Sequence, residues 1–347
     1  MNGHPTLLLN SIKIMYTSYV EFYKIKVNKR NGVGAHMIEK FINELERQGL
    51  SKNTIKSYVF DIAQFYDWLK SKELDPKITE EVLTEYTILL YSKYSENTVL
   101  RKIKSVTRYN KFLYHIGEST LVIEPNEIIK IKTNNGTMRM MSFNEFDRLR
   151  QTILEGQNKR DILIFHLLYG TCCRISELIN IELDDIEITN PSQGNIRFKI
   201  SKSGKFPTSI GKISITEPLI KIIKDYLEVR PIYQSNKLLI GQKGPMTRDA
   251  INKMFRKYSS IANINYTVSP QMIRRMGIFN LFVLAQNEPL ELSYISKIAR
   301  YTTESYTEKI YESLWSNLKG NLEFQSFETR YINLGWENGG EKPKKDC

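Results

Sequence analysis

From Met37 onward, apolar residues recur at the spacing of an α-helix. Ile38, Phe41, Ile42 and Leu45 share one face, Gly49 interrupts the run, and Ser51 with Asn53 opens a second stretch carrying Ile55, Val59, Ile62, Phe65, Tyr66 and Leu69. Two antiparallel amphipathic helices are predicted. A third pattern covers Thr79 to Tyr91, and Ser95 opens a fourth whose apolar stripe is Val99, Ile103, Val106, Phe112 and Leu113. Around this stripe stand Arg101, Lys102, Lys104, Arg108 and Lys111. A helix so decorated suits a surface of phosphates; a merely solvated charged face is the plainer alternative.

The periodicity lapses between Gly117 and Thr137, where Pro125 and the turn signal Asn134-Asn135-Gly136 fall. An interdomain linker over 118–136 follows, with a helical domain at 37–117 before it and a second domain at 137–319 after it. Residues 1–36 are rich in Lys, Arg and Gly toward their end and are read as a basic arm. In the second domain Ser142 with Glu145 has the spacing of a capping box. The stretch "NIRFKISKSGKFPTSIGKISIT" alternates in and out and is punctuated by Gly204 and Gly211, so a small β-hairpin or meander is expected. Helical patterns resume at Glu217 and persist through Ser313, and 320–347 is read as a packing tail with a polar end. The fold class is therefore mainly α with a small β-sheet.

Charge narrows the function. Fifty Lys and Arg against thirty-eight Asp and Glu give a net charge of +12, spread along all 347 residues. A polyanion, most often nucleic acid, is the partner such a surface favours. Of three cysteines, Cys172 and Cys173 are neighbours that cannot bridge to each other without strain, which fits a reducing compartment. No run approaches the ~20 apolar residues of a membrane span, and the opening residues resemble neither signal peptide nor anchor. Cytoplasm is the expected location, or wherever the nucleic acid lies.

Several residues of the second domain invite chemistry. Arg174 interrupts the apolar run "LYGTCCRISELI", and a guanidinium there needs an anion. Glu177, three residues on, is placed to orient it. Lys202 lies at the tip of "SKSG", Arg274 in the first turns of "SPQMIRRMGIFNLFVL", Arg300 just after "YISKIA", and Tyr311 at the end of "TEKIY". Cys172-Cys173 as a metal site lacks further ligands at suitable spacing. Asp184-Asp185 in "IELDDIEI" is read as a helix end entering a strand. His166 in "DILIFHLLYG" is read as a core histidine.

In their order these residues resemble the tyrosine recombinase, or phage integrase, family, including its Xer-type members. "TCCRISEL" matches the box Thr-Gly-x-Arg-x-Ser-Glu-Leu with Cys172 in the glycine's place. "SKSGK" matches the lysine hairpin, "QMIR" the His-x-x-Arg box with Gln271 for histidine, Arg300 the His or Trp position, and Thr307 with Tyr311 the nucleophile segment. The loss of histidine also resembles divergent integrases of archaeal viruses and plasmids. The resemblance implies a two-domain C-shaped clamp on duplex DNA, a helical core-binding domain plus a catalytic domain, four copies assembling on paired sites, and neither metal nor cofactor. It implies that Tyr311 attacks a scissile phosphate, leaving a 3′-phosphotyrosyl bond, while Arg174 and Arg274 hold the phosphate oxygens and Lys202 protonates the leaving oxygen. Gln271 can donate a hydrogen bond but cannot take a proton, and Arg300 adds a third guanidinium. Tyr306 is the runner-up nucleophile. A catalytically inactive DNA-binding regulator and a type IB topoisomerase-like strand transferase are the alternatives.

Overall fold

Several helix starts in this chain coincide with side chains that cap them. Ser51 accepts the Thr54 amide at 3.1 Å, the Thr79 hydroxyl accepts that of Val82 at 3.3 Å, and Ser142 and Glu145 form the reciprocal capping box. Two helix-ending glycines, Gly49 and Gly117, have φ of 73° and 79°, the left-handed region that glycine enters without steric cost. The computed structural model describes residues 32–129, 140–199, 211–287, 291–301 and 303–318. These fall into two compact units, divided near residue 134.

The first unit contains α1 (Gly32–Arg47), α2 (Lys52–Ser71), α3 (Glu80–Tyr91), α4 (Glu96–His115) and the short α5 (Pro125–Ile128). Its core is the set of apolar faces read from the periodicity. Phe41 meets Tyr109 edge-on at 5.1 Å and Phe65 meets Tyr86 in the same way at 5.1 Å, tying α1 to α4 and α2 to α3. Two details differ from expectation. Helix α1 begins at Gly32, inside the stretch read as a basic arm. The stretch read as a linker contributes α5 and buries Ile123 and Ile129 in the first unit's core; the apolar residues there come in two short clusters, Leu121-Val122-Ile123 and Ile128-Ile129, with no helical or strand period between them.

The second unit begins with α6 (Phe143–Glu155), α7 (Lys159–Gly170) and the single-turn α8 (Ile175–Leu178), followed by a 3₁₀ turn over Leu183–Asp185. Strands β1 (Ile186–Asn190), β2 (Gln193–Phe198) and β3 (Gly211–Thr216) form an antiparallel sheet in the order β1-β2-β3, with Ile196 opposite both Ile186 and Ile213. Then come α9 (Glu217–Val229), the two-residue strands β4 (Ile240–Gly241) and β5 (Gly244–Pro245), α10 (Arg248–Ile261), α11 (Pro270–Asn287), α12 (Leu292–Ala299) and α13 (Glu304–Leu318). The short β4-β5 hairpin lies within a stretch read as helical; two residues per strand are too few to alternate visibly.

Helix α7 is buried nearly all round, from Leu163 to Tyr169, and packs against α9 and α11. The α7–α11 crossing is direct: a Cβ on Gly277 would stand 2.1 Å from the Tyr169 carbonyl oxygen and 3.1 Å from the Cys172 sulfur. Only glycine permits that approach. It brings Arg274, one turn earlier on α11, against the turn that ends α7. Among the described residues no helix is long and apolar enough to cross a membrane.

Candidate active site

The site starts where α7 stops. Thr171 caps the helix, Cys172 takes φ of 50°, and Arg174 becomes the N-cap of α8. Cys172 thus stands, in a left-handed conformation, where the matching box has glycine, and its side chain is fully buried. Burial pushes its thiol up to about 12 and that of Cys173 up to about 11 despite the nearby guanidiniums, so neither is a ready nucleophile.

Glu177 is the anion that Arg174 meets inside the protein. Its carboxylate accepts the Arg174 amide at 2.7 Å, the Arg174 Nη1 at 2.8 Å and the Arg300 Nε at 2.9 Å. Burial alone would raise this carboxyl; the Arg300 charge and the Arg174 hydrogen bonds outweigh it and hold it below the usual range. Arg300 caps α12 with φ of 53°. Its Nη2 donates to the Thr171 and Cys172 carbonyls at 3.1 and 2.8 Å, and its guanidinium lies 4.5 Å over the Phe198 ring at the end of β2.

The C-terminal end of α12 supplies the remaining anchors. Arg174 Nη2 donates to the Arg300 carbonyl at 2.9 Å, and Arg274 Nη2 to the Ala299 carbonyl at 2.6 Å. Carbonyls at a helix C-terminus carry partial negative charge, which suits two guanidiniums. Arg274 is 1% exposed, with its guanidinium 5.4 Å from the Tyr301 ring. Its Nε and Nη1, and Nη1 of Arg300, are buried donors without a hydrogen-bond partner among the described residues. Burial, and next the Arg174 charge, lower the Arg274 pKa, yet a guanidinium stays protonated. Two guanidiniums, Arg174 and Arg300, share the Glu177 carboxylate, and Arg274 is held by a backbone carbonyl instead, so positive charge is in excess here.

The other expected residues are placed less centrally. Gln271 is exposed in the first turn of α11, one turn before Arg274. Tyr311, on α13, is partly buried with its ring 4.9 Å from Phe282. Tyr306 is half-exposed and meets Tyr301 edge-on at 4.9 Å. Thr307 is fully buried and its hydroxyl donates to the Thr303 carbonyl at 3.3 Å. Lys202 lies outside the described residues. Tyr301 is the aromatic surface of Arg274; it, Phe198 and the α12 carbonyls had no local signal that marked them as partners of these arginines.

On α4 the five cations separate. Lys102 departs from the expected phosphate-facing set: its ammonium is buried, 3.0 Å from Asp61 Oδ1 and 2.5 Å from Gln64 Oε1, because α2 covers that side of the stripe. Arg101 pairs with the same Asp61 while half-exposed. Arg108 donates to Gln48 Oε1 at 2.5 Å and lies 5.5 Å over Tyr58. Lys111 faces Glu124 at 3.6 Å on the surface, and Lys104 is exposed.

Comparison with known proteins decides the family. Residues 139–313 match the model of the phage integrase family, and residues 37–119 match that of the phage integrase N-terminal SAM-like domain. The chain belongs to the phage integrase family of tyrosine recombinases. It is an enzyme of the class that carries out site-specific recombination. Relatives of this integrase-family chain include TnP I resolvase of Bacillus thuringiensis, 27% identical over 70% of this chain and 84% of the relative. Tyrosine recombinase XerD of Staphylococcus haemolyticus is 26% identical over 78% of this chain and 95% of its own. The fold is shared with a crystal structure of XerH site-specific recombinase bound to palindromic difH substrate in a post-cleavage complex. That match has a TM-score of 0.66 at 16% identity, covering 87% of each chain. A lambda integrase dimer bound to a core site shares the fold at a TM-score of 0.60 and 12% identity, over 84% of this chain and 79% of that one. His166 sits in the core of the catalytic unit, lowered to about 4 by burial and then by Arg150. Among the described residues no group of three His, Cys, Asp or Glu is placed to hold a metal.

Proposed function

We propose that this recombinase cleaves and rejoins duplex DNA through a 3′-phosphotyrosyl intermediate on Tyr311. The observation that carries the reading is the pairing of two guanidiniums at one point of the second unit: Arg174, fixed by Glu177 and the Arg300 carbonyl, keeps 36% of its side chain exposed, and Arg274 has donors that lack an acceptor among the described residues. A scissile phosphate supplies that acceptor. Its pentacoordinate transition state gathers negative charge on the nonbridging oxygens, and guanidiniums whose direction is set in advance by Glu177 and the α12 carbonyls suit that charge.

In the step we infer, the Tyr311 oxygen forms a bond to phosphorus as the bond to the 5′-oxygen breaks. Lys202 gives that oxygen its proton, and the phenolic proton passes to water, since Gln271 cannot accept it. A 5′-hydroxyl of another strand then attacks the phosphotyrosine and returns its proton to Lys202, the bond from phosphorus to the Tyr311 oxygen breaks, and that oxygen takes a proton from water. The DNA is bound by both units, and four copies act on two paired sites. Arg300 works differently from the third phosphate clamp expected of it: with its Nε on Glu177 and its Nη2 on two carbonyls, it braces the turn that presents Arg174.

The test is trapping on a nicked duplex carrying a site recovered from random DNA, resolved on a denaturing gel. Tyr311→Phe keeps the ring on Phe282 and should bind the site as well as wild type while forming no covalent adduct. Tyr306→Phe should keep the adduct. An undiminished adduct from Tyr311→Phe would sink the assignment, and loss in Tyr306→Phe alone would move the nucleophile to that residue.

A further inference from the structure

Asp61 is an unexpected neighbour for a phosphate-binding surface. It is fully buried on α2, yet three donors from α4 converge on it: Arg101 Nη1, Lys102 Nζ at 3.0 Å and the Ser105 hydroxyl at 2.8 Å. Lys102 also donates to Gln64 Oε1 at 2.5 Å, and Gln64 Nε2 donates to the Tyr94 hydroxyl at 3.1 Å. The Lys102 ammonium lies 5.6 Å from the Phe60 ring and 5.1 Å from that of Tyr94, both of which are exposed on their outer side. Two helices are thus locked by a polar network whose one solvent-facing cation is Arg101, with 46% of its side chain exposed.

A carboxylate against Arg101 works against phosphate binding, because it offsets the charge on which the affinity for a phosphate depends. It does something else well. It fixes the direction of a planar fork of donors, and a fork held in one direction is what bidentate hydrogen bonding to a base edge needs. Lys104, three residues on along the exposed face of the same helix, has the opposite character: an ammonium on a long flexible stem, suited to a phosphate as a point charge. The pair divides the labour along α4.

We infer that Arg101, held by Asp61, reads a G·C base pair in the major groove through the O6 and N7 acceptors of guanine, and that Asp61 is the positioning residue for this readout. The inference rests on the reading of the chain as a DNA recombinase and adds to it a residue that determines site choice.

The experiment selects bound duplexes from a random pool with the full-length chain and compares the recovered sequences among variants. Wild type and Lys104→Ala should recover the same site, Lys104→Ala with uniformly lower affinity and a shallower salt dependence. Arg101→Lys keeps the charge but not the fork, so preference for G·C should fall by about tenfold at one position while the rest of the site persists. Asp61→Asn should blunt the same position. Because Asp61→Asn leaves Lys102 buried without its counter-charge, the double variant Asp61→Asn with Lys102→Met, which removes both buried charges, is tested beside it for a retained melting transition and the same loss. An Arg101→Lys profile identical to wild type, or weakened evenly at every position, overturns the inference while leaving the recombinase reading intact. A folded double variant that keeps the full G·C preference overturns the role of Asp61. If wild type binds no duplex at low salt, the recombinase reading falls and this inference with it.

Discussion

Replacing Glu177 with Gln perturbs the point on which the arginine site is built. The carboxylate accepts three hydrogen bonds, two from guanidiniums, and Glu177 is 4% exposed. A glutamine side chain must turn its amide NH₂ toward at least one of these donors, losing a charged hydrogen bond of roughly 1.5–3 kcal/mol. It also leaves Arg300, 5% exposed, without its counter-charge, and breaking a buried ion pair from one side costs roughly 3–5 kcal/mol. A loss of about 3 kcal/mol or more in the catalytic unit is expected. At roughly 2–4 °C per kcal/mol for a unit of this size, its midpoint should fall by about 6–12 °C. The two units can melt separately, so the readout must belong to the second. Cys172 and Cys173 are both fully buried there, and their reaction with a maleimide in a Cys347→Ser background, followed against temperature, reports that unit alone. The effect should also depend on pH in a defined direction. Because the folded carboxyl lies below its ordinary 4.5, its contribution is complete above that value and is lost as pH falls through the lowered one, so wild type and Glu177→Gln should converge in acid. A midpoint within about 2 °C of wild type at neutral pH, equivalent to less than roughly 1 kcal/mol, would refute the claim that Glu177 holds the site together.

Two further outcomes are expected. Gly277→Ala puts a Cβ 2.1 Å from the Tyr169 carbonyl oxygen, and because the obstacle is backbone the α7–α11 crossing must open. A loss of more than about 3 kcal/mol, or no soluble catalytic unit, should follow, and wild-type maleimide protection of Cys172 in this variant would contradict it. His166, lowered by burial to about 4, is neutral in the folded unit, whereas in the unfolded chain it takes a proton near pH 6.5. Stability should therefore be complete above pH 6.5 and fall by on the order of 3 kcal/mol as pH drops toward 4; in denaturant melts across that range His166→Phe should lack this fall, and an equal fall in both proteins would assign it elsewhere.

Much of this molecule was written locally. Helix α2 was legible because Ser51, the apolar face from Ile55 to Leu69 and the stop after it lie within one short stretch of chain. The same holds for the capping box at Ser142, and for Arg174 with Glu177, whose three-residue spacing brings them together whatever the rest of the fold does. The β4-β5 hairpin and the buried Ile123 and Ile129 were not legible, since neither extends far enough to show a period. The arginine site itself belonged to the tertiary structure. Arg174 meets the Arg300 carbonyl across 126 residues of sequence and Arg300 meets Glu177 across 123, and no local pattern marks a backbone carbonyl as the partner of a distant side chain. Arg300 and Lys102 show the consequence. By residue type both were candidates to face DNA, and both are buried because the element packed over each, β2 with Phe198 in one case and α2 with Asp61 in the other, brought a partner for the charge. A helix pattern records which face of its own helix is apolar; whether a cation on the border of that face meets solvent or a buried carboxylate depends on what the neighbouring element carries, and only packing two distant segments together decides it.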